Sequence, residues 1–271
     1  MEAFQYKIIG TSHVAKESVE NIKKEIKEFQ PDIVCIELDA NRLQGLLSNQ
    51  KSNFNPKMIG RIGLTGYIFG LIGHMMQKKV GEKLNIIPGK DMLTAYKVAK
   101  AENKDIKLID QDVQATLRNV SKNFTWKEKR RLFGQIFEAI FFKKRAIEKN
   151  KEKLQGMNFD LNTVPSEEIV EKMILSLKDE YPGLYKAIVD DRNKIMANRI
   201  YLLLKKNPTK KVLAIVGAGH KTEMEKIINK KLQNLEYFPK KIEYNYTYIV
   251  SNSKDENSKN KNNKKQEENK K

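Results

Sequence analysis

Two segments of the chain end an apolar run in the same way: Ile8-Ile9-Gly10-Thr11-Ser12-His13 and Ile215-Val216-Gly217-Ala218-Gly219-His220. Each reads as a buried strand, then Gly-x-x-His, then a helix. Glycine at a strand end permits a tight turn and a close backbone approach. The three-residue step places each imidazole at the start of the next helix, at the carboxyl edge where open α/β sheets bind ligands. A single histidine so placed would read as a helix cap or a carbonyl partner. A matched pair, 207 residues apart, predicts convergence on one cleft. Two neutral imidazoles beside a carboxylate can hold a divalent cation, or can work without one in acid–base hydrolysis. Gly217-Ala218-Gly219 lacks both the later glycine of the dinucleotide fingerprint and the Gly-Lys-Ser/Thr ending of a P-loop.

Glu37 and Asp110 each close an apolar strand run, DIVCIEL and IKLID. A carboxylate there is costly unless it meets solvent, a cation or a metal. Arg42 follows Glu37 by five residues and is the expected partner that positions it. Arg192 and Asn193 lie in the helical segment DDRNKIMANRI, where Arg192 is a candidate anion clamp or inward-facing partner of the acids. Asn193, Arg42, Gly10 and Gly217 are the candidate supporting residues. His74, inside an apolar run, reads as a core histidine. Cys35, between Val34 and Ile36, reads as a small packed hydrophobe.

These residues need an α/β frame. QYKII (5–9), the 32–38 run, IKLID (106–110) and KVLAIV (211–216) are the strands expected to build a sheet from both ends of the chain. Residues 15–29 place Val19, Ile22, Ile26 and Phe29 at helical spacing, so strand, helix and strand form a βαβ unit with parallel strands. Helical insertions are expected over about 40–104 and 112–205. Breaks fall near 156–162, at Pro165 and at Pro182-Gly183, and a long amphipathic helix spans 127–153. Residues 242–250 alternate with period 2 and suit an edge strand. One α/β domain over 1–250 is expected, with a Lys/Asn-rich disordered tail over 251–271.

Lys and Arg number 52 against 34 Asp and Glu, a net charge of +18. Lysine supplies 44 of the 52 and is spread along the chain. A nucleic-acid groove would cluster arginine with aromatics, so no specific nucleic-acid partner is expected. Weak contact with an anionic membrane surface is expected from charge alone. The single cysteine excludes an intramolecular disulfide and a cysteine-rich zinc site. The start of the chain lacks the pattern of a secretory signal, which predicts a cytoplasmic protein. The longest uncharged run, 62–77, is short for a spanning helix and predicts a buried helix or helical hairpin.

The same residues carry a resemblance. IIGTSHVAKESVENIKKEIKEFQPDIVCIELDANRLQGL resembles the opening of the TraB/PrgY/GumN family, LIDQDVQATLRN its middle motif, and YPGLYKAIVDDRNKIMANRIYLLL with VLAIVGAGHKTEM its closing stretch. Pro88-Gly89-Lys90-Asp91 stands where relatives usually show Gly-Glu-Glu, and a polar tail stands where archaeal-type relatives carry hydrophobic C-terminal segments. The resemblance implies a Tiki/erythromycin-esterase-like α/β core. For the Tiki branch it implies a metal-dependent peptidase with His13, His220 and Glu37 on a divalent ion, Mn, Co or Zn. Glu37 would be ligand or base, Asp110 an orienting or additional ligand, and Arg192 the holder of a substrate carboxylate or oxyanion. The esterase-like relatives imply instead a metal-independent His/Glu hydrolase. The pheromone-shutdown branch implies a regulator that binds a signal peptide. A peptide is the expected partner in each case, and the amphipathic 127–153 segment could support a homo-oligomer.

Overall fold

The fold is seen in a computed structural model that describes residues 4–11, 15–48, 55–84, 89–141 and 167–235. His13, the segments 156–162 and 242–250, Pro165 and the 251–271 tail lie outside them. Four parallel strands form one sheet in the order β1-β4-β2-β3. They are β1 (Tyr6–Thr11), β2 (Ile33–Ile36), β3 (Asp105–Leu108) and β4 (Val212–Gly217). The strands do come from both ends of the chain. The two central ones, β2 and β4, are buried at every position. That is why IVCI and VLAIVG are continuous apolar runs: both faces of a parallel strand are covered.

Alternation along the strands divides the core in two. Ile8, Ile33, Cys35, Val212, Ala214 and Val216 face one way, onto Met196, Ala197, Ile200 and Leu204 of one helix and Met224 and Ile228 of another. Ile9, Val34, Ile36, Leu213 and Ile215 face the other way, onto Ile22 and Ile26 and onto Met92, Ala95 and Ala99. In chain order the helices are α1 (Ala15–Phe29), α2 (Ala40–Ser48), α3 (Ile59–Leu84), α4 (Lys90–Ala101), α5 (Val113–Asn123) and α6 (Trp126–Phe141). They continue as α7 (Glu167–Glu180), α8 (Pro182–Tyr185), α9 (Asp191–Lys206) and α10 (Ala218–Leu235). Thus α1 and α4 cover one face of the sheet, and α9 and α10 cover the other. The expected helix over 127–153 is observed as α6 up to Phe141.

Of the expected insertions, α4 and α9 instead cover the sheet, while others make a helical layer with its own core of Val120, Phe124, Tyr181, Leu184 and Ala187, joined by Phe69 and Leu132. Glu128 pins this layer. It completes a capping box at the start of α6, where Oε2 accepts from the Thr125 N–H and hydroxyl, each at 2.7 Å. Its Oε1 accepts from the Gly183 N–H at 2.6 Å, capping α8 as well. Burial alone would raise the Glu128 pKa, but these donors hold it below the usual value.

α3 corrects the reading of 62–77 as a buried helix or hairpin. Within α3 two helices meet at a kink at Gly63, whose backbone is not helical (φ 77°, ψ 158°). Ser121 fills the kink, donating to the Ile62 carbonyl at 2.5 Å and accepting from the Gly66 N–H at 2.7 Å. One face, with Ile62 fully buried, lies on α5. Leu64, Ile68, Leu71, Ile72 and Met75 are exposed, by 60%, 43%, 36%, 45% and 52%. The 62–77 stretch carries apolar residues on more than one side, and those facing α5 are the buried ones. His74 is half-buried on this helix rather than in the core.

Gly66 is where α3 meets α5 most closely. A Cβ there would fall 2.2 Å from the Leu117 carbonyl oxygen. Gly66→Ala should therefore lower unfolding free energy by about 1–3 kcal/mol in urea titrations. Gly45→Ala, with nothing within 4 Å of the new atom, should be neutral or stabilising by up to about 1 kcal/mol.

Candidate active site at the carboxyl edge

β2 and β4 are neighbours whose chains leave toward opposite faces of the sheet: β2 leads by way of α2 to α4, and β4 leads into α10. Strand exits that diverge in this way open a crevice at the carboxyl edge. Glu37 follows β2, and Gly217 and His220 lie at the β4–α10 junction. Asp110 comes two residues after β3, next to Glu37. Arg192 and Asn193 enter from the first turn of α9. Seven of the residues singled out from sequence therefore meet here: Glu37, Asp110, Arg192, Arg42, Asn193, Gly217 and His220.

The guanidinium of Arg192 is at the centre. Its Nη2 donates to Glu37 Oε1 at 2.5 Å and to Asp110 Oδ2 at 2.7 Å, and its Nε donates to Asp110 Oδ1 at 3.0 Å. The side chains are 16%, 11% and 3% exposed for Arg192, Glu37 and Asp110, so the ion pairs work largely out of water. Arg42 Nη1 reaches Asp110 Oδ2 at 3.4 Å, not Glu37 as its spacing suggested. The two arginines and two carboxylates sum to no net charge. The second oxygen of Glu37 accepts from the Gly217 N–H at 2.6 Å, which ties β2 to β4 across the crevice. Burial alone would raise the Glu37 pKa. His220 in its protonated form, Arg192, the Gly217 N–H and Arg42 outweigh it and hold the carboxyl below its ordinary value. Burial opposes the Arg192 charge too, yet Glu37 and Asp110 raise its pKa above the usual value.

His220 is oriented by the same helix. Its Nδ1 is 2.6 Å from Asn193 Oδ1, and its Nε2 is 3.2 Å from Arg192 Nη1 and 3.5 Å from Glu37 Oε1. Arginine can only donate, so a neutral ring satisfies both contacts when Nδ1 carries the proton and Nε2 the lone pair. A proton gained on Nε2 would give up the Arg192 contact and face Glu37 Oε1. Asn193 is fully buried, and its Nδ2 has no hydrogen-bond partner among the described residues.

The glycines act differently from the sequence expectation. Gly10 sits inside β1, paired with Val216, and neither Gly10 nor Gly217 has a positive φ. A Cβ on Gly217 would meet Glu37 Oε2 at 3.5 Å and His220 Cδ2 at 3.8 Å, ordinary contacts. What Gly217 supplies is its N–H, donated to Glu37 Oε2. Cys35 is buried mid-strand, and burial pushes its thiol up to about 12, as suits a packed hydrophobe.

Two further acids are not singled out by the sequence reading. Asp39 Oδ1 caps α2 by accepting from the Asn41 and Arg42 N–H groups at 2.9 and 3.0 Å, while its buried Oδ2 has no partner among the described residues. Its place before an amphipathic helix is an ordinary N-cap signal. Asp91, 3% exposed, accepts from the Thr11 hydroxyl at 2.6 Å at the end of β1. The Gly-Lys-Asp departure from Gly-Glu-Glu marks its position.

Glu37, Asp110 and His220 have the chemistry of metal ligands, but their atoms are turned onto a guanidinium. Among the described residues no group of three or more His, Cys, Asp or Glu side chains could hold a metal ion. The expected ligand set of His13, His220 and Glu37 includes His13, which lies outside the described residues; of the other two, Glu37 Oε1 accepts from Arg192 Nη2.

The TraB/PrgY/gumN family profile matches residues 5–235, and the chain belongs to that family. It is 32% identical over 229 residues to an uncharacterized protein of Methanocaldococcus jannaschii, covering 84% of this chain and 54% of that one. It is 24% identical over 244 residues to the TraB domain-containing proteins of mouse and human, covering 81% of this chain and 61% of each. The chain thus spans little more than half the length of these relatives.

Removing Arg192 would leave two buried carboxylates facing each other. Arg192→Ala should cost about 3–5 kcal/mol of stability, and Arg192→Lys less, because lysine keeps the charge and loses the fork. Glu37 adds a pH signature. Its folded pKa lies below the ordinary carboxyl value, so its contribution is complete above that ordinary value and is lost as pH falls through the folded one. Denaturation midpoints measured from neutral pH downward should fall on acidification, and Glu37→Gln should flatten that fall.

Proposed function

We propose that this TraB/PrgY/gumN member is a hydrolase that uses His220 as its acid–base group and needs no metal ion between Glu37, Asp110 and His220. The observation that carries this reading is the imidazole itself. Asn193 fixes its tautomer, and its Nε2 lone pair faces a glutamate and an arginine at the crevice of the sheet. In such a step Nε2 takes a proton from water as the water oxygen bonds to the substrate carbonyl carbon. The C–N or C–O bond then breaks, and the same proton passes to the leaving nitrogen or oxygen. Glu37 balances the imidazolium formed in between. Arg192 keeps Glu37 ionised and supplies positive charge beside the developing oxyanion. Arg42, with 39% of its side chain exposed, is the cation at the rim. It suits a substrate with a carboxylate near the scissile bond, and a peptide meets that requirement.

Turnover should be sought with a panel of chromogenic peptides and esters. Activity should persist in a strong chelator. His220→Gln should lower kcat by about 100-fold or more. Asn193→Ala should lower kcat less and displace the pH–rate profile, because the ring loses its fixed tautomer. Full activity in His220→Gln would overturn the assignment. Loss of activity in chelator with recovery on Mn or Co would replace it by the metal-dependent peptidase with His13, His220 and Glu37 on the ion. Saturable peptide binding without turnover would replace it by a binding regulator.

A further inference from the structure

The uncovered face of α3 has no part in this chemistry. Ile62, Gly66 and Phe69 turn toward α5 and the helical core, while Leu64, Ile68, Leu71, Ile72 and Met75 lie along the opposite side. The spacing 64, 68, 71, 75 is one helical stripe, about 16 Å long at 1.5 Å per residue. An apolar ridge of this kind on a protein surface marks an interaction site.

The charges around it select the occupant. Residues 43–81 contain no Asp or Glu, yet carry Lys51, Lys57, Arg61, Lys78 and Lys79. Lys57 and Arg61, just before the stripe, are exposed. A second copy of this chain would bring a further +18 charge and the same acid-free segment against it. An anionic lipid surface offers the opposite charge and a fluid apolar boundary that covers a single-helix ridge without a matching groove. No helix among the described residues is long and apolar enough to cross a membrane, so the mode is lying on the surface.

We infer that α3 docks this protein on anionic membranes by burying the Leu64–Met75 stripe in the headgroup–acyl boundary, with Lys57 and Arg61 at the phosphates. The full chain should co-sediment with vesicles of phosphatidylserine and phosphatidylcholine at physiological salt, and much less with phosphatidylcholine alone. The triple variant Leu64→Ser/Leu71→Ser/Met75→Ser keeps every charge and alters only exposed positions. It should bind about tenfold or more weakly at an unchanged circular dichroism spectrum. Met173→Ser/Leu175→Ser, exposed on α7, should bind as the wild type does. Lys57→Gln/Arg61→Gln should weaken binding and reduce its salt dependence. Equal binding by the triple variant would overturn the proposal in favour of charge alone. Absence of vesicle binding would overturn it as well. If that absence came with concentration-dependent dimers that the triple variant abolishes, it would assign the stripe to a second copy; if it came with binding to an acidic protein, it would assign it to that partner.

Discussion

A buried guanidinium between two buried carboxylates is the constraint on which this molecule turns. Glu37 and Asp110 stand at the ends of adjacent strands, where burial penalises both charges. Their mutual repulsion and desolvation are offset only because Arg192 donates to both at once. Arg192 in turn is held by a helix from a distant part of the chain. One residue therefore couples β2, β3 and α9, and Glu37 extends the coupling to β4 through the Gly217 N–H. Arg199, about two helical turns further along α9, donates to the Asp110 carbonyl at 2.6 Å and fixes the same strand end from its backbone side.

The helical layer exists on these terms. The chain leaves the sheet after β3, builds α5 to α8 around a separate core, and must return α9 with Arg192 and Asn193 facing inward. A π-helical turn, Lys186–Asp190, immediately precedes α9. Such a turn holds an extra residue and rotates the succeeding helix by about 100° relative to an uninterrupted α-helix. It also leads in from α8, whose start Glu128 caps. The capping glutamate and the wide turn thus act on the same outcome, the direction in which the first turn of α9 presents its polar side chains.

Much of this is legible in the residues. The continuous β-branched runs mark the parallel strands, and the acids at their ends call for solvent, a cation or a metal, of which the structure supplies the Arg192 cation. The convergence of Glu37, Asp110, Arg192 and His220 comes from placing all of them at one sheet edge. What spacing does not supply is partnership. Arg42 lies five residues from Glu37 yet pairs with Asp110, because Asp39 starts α2 and turns Arg42 toward β3. Asp39 and Asp91 escape a reading of strands because their burial comes from helices that pack against the sheet, not from the runs that carry them. The uncharged run of α3 reads as core because periodicity does not distinguish a covered face from an uncovered one; only the number of neighbouring helices decides that.

Site and ridge depart from ordinary patterning in opposite senses, one burying charge and the other exposing hydrocarbon. Both departures are local, and the sheet between them obeys every rule of a parallel α/β core. Such contradictions are expected where stability has been traded for function. Arg192 shows how the trade is arranged. Replacing the ion cluster by packed hydrocarbon would cost the sheet little, since buried pairs seldom exceed apolar packing in stability. Hydrocarbon, however, could neither polarise a carbonyl nor balance an imidazolium. The arginine therefore joins the fold and the proposed chemistry through one planar group: its Nη2 neutralises the carboxylates, and its Nη1 lies 3.2 Å from His220 Nε2.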